Sequence, residues 1–594
     1  ISLLGIIVVS LISSIFSSPL NVSMFGVMLD IGSFWFMVCV LLLTFMTSLV
    51  VREDKKAKMI IKGLVVSSVV VLVFQIARFF LPDVLSLGVL EPKTGNVFGS
   101  WNSLGIFGGM MVLISLFVFE FVKITKKQKI VFGILLFLSL FLVASVNFVL
   151  VWQLIGIFAL ILFVYKISIT STSSEEDRHK KEFPIISFGV IILSLLFFIS
   201  GQFIGSVLPN ALSLYNVEVN PSLSATFNVA KEVFKQDPVL GTGPNRFSEV
   251  WSLYKSDIIN NSQFWNTPFS TGFGLIPTFM VTTGILGSLS WIVFLILLFV
   301  IGTKNTFATI NKKDSTVLLY FLIAIYLIVI SILYSAGVTL LLLAFAFIGI
   351  FIGISSSRLD KNITFSFLDD PRKSFFSILF LVILMIASAG VTFKYAERFV
   401  SVFYFGNALS STTIESAEAS IGRALLLNQN DLYLRTYSQV YLSKINSLLS
   451  NNTELTDEQR VSLQTSLTGA ENGAIAATKY NPNNYLNFDM LGFVYKNSAS
   501  LGVEGASAKA IEAYTEASRL NPKNPLLKLE LARVSFIDKK TKEAKDFALE
   551  SIAIKPDFVQ GLIFLAQIEK ELGNNASAVS YAEKALFLFP EDKD

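Results

Sequence analysis

"AIEAYTEASRLNP" (510–522), "EAKDFALESIAIKP" (543–556) and "SAVSYAEKALFLFP" (577–590) repeat one arrangement. Small alanines recur where two helices must approach closely, and a proline closes each copy. Pro522, Pro556 and Pro590 stand 34 residues apart. That is the period of a helix–turn–helix repeat, which buries its apolar face only by stacking on its neighbours. An earlier copy ends at "AIAATKYNP" (474–482), and the 40 residues from Pro482 to Pro522 are one period plus a six-residue insertion near "SASLGVEGA" (498–506). A degenerate copy begins near "SIGRALLLNQND" (420–431). The sequence predicts an all-α solenoid over 398–594.

The period and residue pattern are those of tetratricopeptide (TPR) repeats. Such an array either offers its concave groove to a protein partner or serves as a spacer or oligomerisation arm. "LFLFP" (586–590) is apolar for a capping helix and points to a contact with another surface.

Upstream of the repeats the chain is far more apolar. Over all 594 residues 53% are hydrophobic and 15% charged, with a mean hydropathy of +0.65. Soluble chains carry roughly 25% charged residues. Windows long enough to cross a hydrocarbon core about 30 Å thick fall near 1–17, 33–51, 59–81, 103–122, 129–147, 149–168, 185–207, 276–302, 316–334, 337–355 and 374–396. The first has no basic n-region and no clear cleavage site after it, so it reads as a span rather than a signal peptide. Residues 1–397 are therefore expected to form a polytopic helical membrane domain of about eleven spans. Cys39 is the only cysteine, which excludes an internal disulfide, and no Cys/His cluster suggests zinc. A net charge of +4 calls for no nucleic-acid partner.

The loops between spans alternate in charge. Lysines and arginines gather at 52–58, 123–129, 178–181, 304–313 and 358–373. By the positive-inside rule these loops face the cytoplasm. Segments 82–102 and 208–275, and the whole repeat array, are then extracytoplasmic. The expected location is a bacterial cytoplasmic membrane.

The large loop 208–275 opens on an amphipathic helix, "SATFNVAKEVFKQ" (224–236), and continues "DPVLGTGPNRFSEVWSLYK" (237–255). Neither a dinucleotide fingerprint nor a P-loop fits. Arg246 stands where the fingerprint needs its third glycine, and no GKS or GKT follows. A glycine-flexed turn can still bring backbone N–H groups to an anion.

Pro238-x-x-Gly241-x-Gly243-x-x-x-Phe247 after an amphipathic helix, then "TTGILG" (282–287) re-entering the membrane, resembles the O-antigen ligase and Wzy-type polymerase superfamily. "TGNVFGSWNSLGIFGGM" (94–110) is similar to that family's Gly-x-x-Asn segment opening a helix. The resemblance implies glycan transfer outside the cytoplasmic membrane. The donor would be a sugar chain on undecaprenyl pyrophosphate, the acceptor a glycan, lipid or protein, and no cofactor would be involved. Membrane lipids, and a protein partner in the TPR groove, are the other implied contacts.

Transfer from a diphosphate needs cations aimed at developing negative charge. Arg246 suits this through its planar fork, or is a solvated turn residue. Asp237 and Glu249 are candidate bases, and Asp257 a third; Asp237 also sits where it would simply end the helix. Candidate substrate contacts are Arg78, Asn102, Gly241, Gly243, Asn245, Lys255, Trp251 and Trp265, with Lys235 nearby. Arg78, inside "VFQIARFFLP" (73–82), either snorkels to headgroups or has a partner. The tryptophans either stack on sugars or belong to an interfacial belt. No DxD-like motif occurs in the outer loops, so metal independence is expected.

The chain departs from the family at its histidine and its arginines. The only histidine, His179 in "SSEEDRHKK" (173–181), lies in a basic loop. The arginine expected before the loop's first helix falls near Leu223 or Ser224, and "ASVNFVLVW" (144–152) lacks another. Either an outer carboxylate replaces the histidine, or the protein is a non-catalytic glycolipid binder or membrane-anchored scaffold.

Overall fold

The structure is a computed structural model that describes residues 2–590, apart from 28–29, 88–89, 91, 172–182, 202, 311–314, 360–369 and 451–454. His179, together with Arg178, Lys180, Lys181, Lys312, Lys313 and Lys361, lies outside the described residues. Among those described, every regular element is helical.

The chain opens with α1 (Ser2–Ile15) and a short α2 (Leu20–Met24). Six apolar helices follow: α3 (Phe34–Val50), α4 (Asp54–Phe80), α5 (Trp101–Phe121), α6 (Lys126–Val146), α7 (Val149–Ser171) and α8 (Ile185–Ile199). The large loop folds as α9 (Val207–Ala211), α10 (Leu223–Gln236), α11 (Phe247–Tyr254) and a 3-10 turn at Asp257–Asn261. Next come α12 (Leu275–Ile310), α13 (Thr316–Leu333) and α14 (Val338–Arg358), and then the long α15 (Pro371–Ser410). Each stretch read as a span contains a helix, although the one at 185–207 is helical only to Ile199 and the one at 276–302 is interrupted. Among the described residues α4 to α7 and α12 to α15, eight in all, are long and apolar enough to cross a membrane; α1, α3 and α8 are apolar but shorter.

α5 is the axis of the bundle and is buried along most of its length. Its glycines explain why: Gly105 and Gly108 lie against Val146 and Val143 of α6, and Gly109 against Tyr326 of α13. Side chains there would push these helices apart. Tyr326 donates to the Ile106 carbonyl at 3.0 Å, so its hydroxyl is satisfied inside the apolar core.

α12 is broken. At Gly284 the backbone turns to φ 66° and ψ −160°, which ends one helix and starts another. The break frees backbone groups that an apolar environment cannot satisfy. The glycine-rich stretch 238–243 fills the gap. Thr242 and Gly243 N–H donate to the Val281 and Thr282 carbonyls at 3.4 and 2.8 Å, and Ile285 and Leu286 N–H donate to those of Pro238 and Val239 at 3.0 and 3.3 Å. From α1, Ser13 Oγ donates to the Leu240 carbonyl at 2.8 Å. A side chain on Gly241 would meet Gly284 N and the Val281 carbonyl at 2.6 Å, and one on Gly243 would meet Ser17 at 2.4 Å. Both glycines also have positive φ. The loop is a splice for the broken helix.

The repeats follow as α16 (Ile414–Leu427), α17 (Asp431–Ser450), α18 (Asp457–Tyr480), α19 (Tyr485–Ser500), α20 (Ala506–Leu520), α21 (Pro525–Ile537), α22 (Thr541–Ile554), α23 (Val559–Glu571) and α24 (Asn575–Leu588). Neighbours pair as α17–α18, α19–α20, α21–α22 and α23–α24. Pro522, Pro556 and Pro590 each lie just past the end of α20, α22 or α24. This is a TPR-like region. The domain boundary expected at 397 falls inside α15. That helix has no breaking residue there, and its last turns pair with α16 through Tyr404, Phe405 and Ala408.

Candidate functional site

α10 and α11 form a small domain that packs around Val229, Val233, Phe247 and Trp251 and closes onto Val281 of α12. Its helices are amphipathic, and Ser222 caps α10 by accepting from Ala225 N–H. This domain, the apolar bundle and the first repeats enclose a cavity of about 620 Å³. Its bundle side brings Leu275, Phe279, Val338 and Leu341 together with the hydroxyls of Thr278, Thr282, Ser331 and Ser335, and Asp30 from the connection before α3; the loop and repeat sides bring Asn245, Glu249, Asn430, Asp431, Arg435, Asn481 and Asn484.

Several of these groups are tied in place. Asn245 takes a positive φ of 61° and donates through Nδ2 to Asp30 Oδ2 at 3.0 Å. Val27 N–H donates to the same oxygen at 2.9 Å. Arg246 is buried and bonds Glu249 Oε2 through Nε and NH2 at 2.8 and 2.7 Å. Glu249 Oε1 accepts from Asn481 Nδ2 of the repeats at 2.9 Å. Asp431 Oδ2 accepts from Arg435 at 3.2 Å, Asn484 at 2.8 Å and Asn487 at 3.2 Å.

Of the residues expected from sequence, Asn245 and Glu249 line the cavity, and Arg246 braces Glu249 from behind. The others have different roles. The N–H groups of Gly241 and Gly243 are spent on the Asp237 and Thr282 carbonyls, so these glycines splice a helix and do not cradle phosphate. Arg78 is fully buried. It donates to the carbonyls of Leu85 and Pro92 at 3.1 and 3.0 Å, and also to those of Leu90 and Gly95, and so organises the chain after α4 without reaching headgroups. Trp251 is buried, with Nε1 donating to the Thr267 carbonyl at 3.2 Å; its faces are closed by Phe247 and Phe269, which leaves no face for a sugar. Trp265 meets Phe558 edge-on at 5.6 Å, at the seam between loop and repeats. Asp237 is exposed at the end of α10, away from the cavity lining. Lys235 is exposed and pairs with Glu232 at 2.7 Å; Asp257 pairs with Lys523 at 2.9 Å.

Asn102 introduces a residue that the sequence reading missed. Its Nδ2 donates to Tyr334 Oη at 3.2 Å, and its N–H to Glu218 Oε2 at 3.1 Å. Glu218 also accepts from Trp101 N–H, from Ser100 Oγ at 2.8 Å and from Tyr334 Oη at 2.9 Å. The carboxylate thus caps α5, where the helix dipole favours negative charge.

The seam with the repeats is built on asparagines. Asn428 and Asn483 donate to the Val27 and Ser18 carbonyls at 3.3 and 2.7 Å, and Asn524 to Asn266 at 3.1 Å. Asn260 Nδ2 reaches the Lys523 carbonyl at 3.0 Å, and Lys555 Nζ donates to the Asn260 carbonyl at 2.6 Å. The sequence carried this signal in "NQND" (428–431), "NPNN" (481–484) and "NPKN" (521–524).

Lys255 lies under this seam, buried, with Nζ donating to the Trp265 carbonyl at 2.5 Å. Burial, and then the charge of Lys523, push it down to about 8. The folded protein sheds this proton before the unfolded chain does. Stability relative to Lys255→Met therefore rises as pH climbs from about 8 toward about 10.4, the ordinary lysine value. Thermal unfolding of both proteins at pH 7.5, 9 and 10 checks this; a difference that stays constant with pH rejects it.

No family model matches the chain, and no curated protein matches it. Among solved structures the chain is similar to TTC0263, a thermophilic TPR protein of Thermus thermophilus, at 18% identity over 34% of this chain and 93% of that one, with a TM-score of 0.25. It is also similar to MamA (41-end) from Desulfovibrio magneticus RS-1, at 11% identity over 34% of this chain and 97% of that one, with a TM-score of 0.26. A crystal structure of MamA protein gives 16% identity, 32% and 92% coverage and a TM-score of 0.25.

Proposed function

We propose that the chain is a bacterial cytoplasmic-membrane protein that binds a lipid-linked glycan in this cavity and transfers the glycan to an acceptor outside the cytoplasm. One observation carries the reading: the cavity joins bundle helices that bring Leu275, Phe279, Val338 and Leu341 to a wall of loop and repeat residues rich in amides and carboxylates. An amphiphile with a hydrocarbon tail and a sugar head matches both. The basic loops support the orientation.

Asp30 is the candidate base. Of the three lining carboxylates, Glu249 is paired with Arg246 and Asp431 with Arg435, whereas no ion pair among the described residues includes Asp30. Asp30 takes the proton of the acceptor hydroxyl as that oxygen bonds to the anomeric carbon. The carbon–oxygen bond to the carrier breaks, and the diphosphate leaves with the electron pair. In host cells, Asp30→Asn is expected to accumulate lipid-linked glycan and to lower finished surface glycan by about 100-fold or more. A wild-type donor pool in that variant would reject Asp30 as base.

A second reading, glycolipid binding without transfer, is favoured by the cations. Arg78 and Lys255 are spent on carbonyls, and Arg246 on Glu249. Purified protein that retains the lipid-linked glycan but releases no carrier diphosphate selects this reading.

A further inference from the structure

We propose that the repeat wall of the cavity is itself a ligand subsite, which takes an uncharged glycan and rejects anionic ones. The inference rests on the glycan reading above and adds to it. The TPR array enters the site, and its side chains set which sugar is accepted.

Charge is the first ground. Asp30, Glu249 and Asp431 face the cavity against one lining cation, Arg435. Behind the lining, Arg246 is bonded to Glu249, and the charge of Arg398 reaches the lining Tyr480. A uronate or a sulfated sugar on the repeat wall would add negative charge where lining carboxylates outnumber lining cations three to one, at a cost that burial increases.

Fixed geometry is the second. Arg435 is held by Asp431 and by Asn487 Oδ1. Asn484 donates to Asp431 through Nδ2, while its Oδ1 accepts from Leu486 N–H at 3.2 Å and caps α19. These are planar groups locked before any ligand arrives. Such a surface pairs with the alternating donors and acceptors of sugar hydroxyls at little cost in side-chain order.

An unsatisfied donor is the third. Asn430 is 2% exposed and lines the cavity. Its Oδ1 accepts from Tyr433 N–H at 2.9 Å, which fixes the amide plane. Its Nδ2 is buried and makes no well-formed hydrogen bond among the described residues; the Tyr433 hydroxyl beside it is met only from a strained approach. A buried donor left unmade costs about 1–3 kcal/mol, and a hydroxyl, ring or acetamido oxygen would satisfy it.

The discriminating substitution is Asn430→Asp. Aspartate keeps the oxygen that accepts from Tyr433 N–H, so the cap and the fold are retained. It replaces the free donor by an acceptor and adds a fourth carboxylate. The full chain in lipid nanodiscs is tested on an array presenting uncharged, uronate-containing and sulfated oligosaccharides. Wild type is expected to retain uncharged glycans and none of the anionic ones. Asn430→Asp is expected to bind about tenfold more weakly or worse, while it keeps a single cooperative thermal transition. Asp431→Asn, which loosens the Arg435–Asn484 network, gives an independent second loss. Retention of anionic glycans, retention of none, or equal retention by both variants overturns the subsite. The outcomes separate this inference from the transfer reading. If Asp30→Asn stops transfer while both repeat variants bind as wild type does, the subsite fails and transfer stands. If glycan binding needs Asn430 in a protein that turns nothing over, the subsite stands and transfer fails.

Discussion

Gly241→Val is expected to cost about 3 kcal/mol or more and to leave the chain largely unfolded or aggregated when extracted. Two penalties coincide. Gly241 has φ 65°, which a β-branched residue avoids. Its side chain would also stand 2.6 Å from Gly284 N and the Val281 carbonyl, both backbone atoms that no rotamer change can move. Displacing the loop would undo four hydrogen bonds that satisfy the break in α12. Gly284→Val should match it, because its side chain would meet the Val239 carbonyl at 2.5 Å. Gly63→Ala in α4, with nothing within 4 Å, is the control and should be neutral or slightly stabilising. Thermal unfolding in nanodiscs decides; a Gly241→Val protein that melts with wild type would mean that the splice contributes nothing.

Glu218→Ala is the second large effect, about 2–4 kcal/mol. One carboxylate satisfies the N–H groups of Trp101 and Asn102 and the hydroxyls of Ser100 and Tyr334. Without it the first turn of α5 keeps buried donors with no acceptor, in the helix on which α6, α7 and α13 all pack. Glu218→Gln retains one acceptor oxygen and should recover part of the loss. Denaturant-free thermal melts followed by Trp fluorescence report both. An Ala variant as stable as wild type would show that water replaces the carboxylate at no cost.

The sequence carried the helices and the repeat period because those signals are local. A proline every 34 residues marks a helix end whatever surrounds it, and apolar runs declare themselves by composition. Gly241 and Gly243 were legible as special backbone, but their partner was not. The break at Gly284 lies about 40 residues on, within "TTGILG", and nothing local marks it as a helix end. Asp30 was illegible for a similar reason. In "MLDIGS" (28–33) it is one carboxylate in a short connection, and beyond the local Val27 N–H its setting comes from Asn245, more than 200 residues away. Arg246 and Glu249 were legible one by one, the first for its planar fork beside a glycine turn and the second as an outer carboxylate. That they pair with each other, and are not held ready for a ligand, depends on burial.

The hydrogen bonds of Asn428 to Val27 and of Asn483 to Ser18 span 401 and 465 residues of chain. Contacts so distant in sequence form late, since the intervening chain must be made and ordered first. The bundle and the splice need nothing beyond α14, and the ribosome has released their parts long before residue 483 appears. The cavity therefore closes only once the chain has been synthesised past Leu486. A product terminated before the repeats inserts with Asp30, Asn245 and Glu249 in place but without the wall that Asn430 to Leu486 supply, so the site is assembled after the membrane part that carries it.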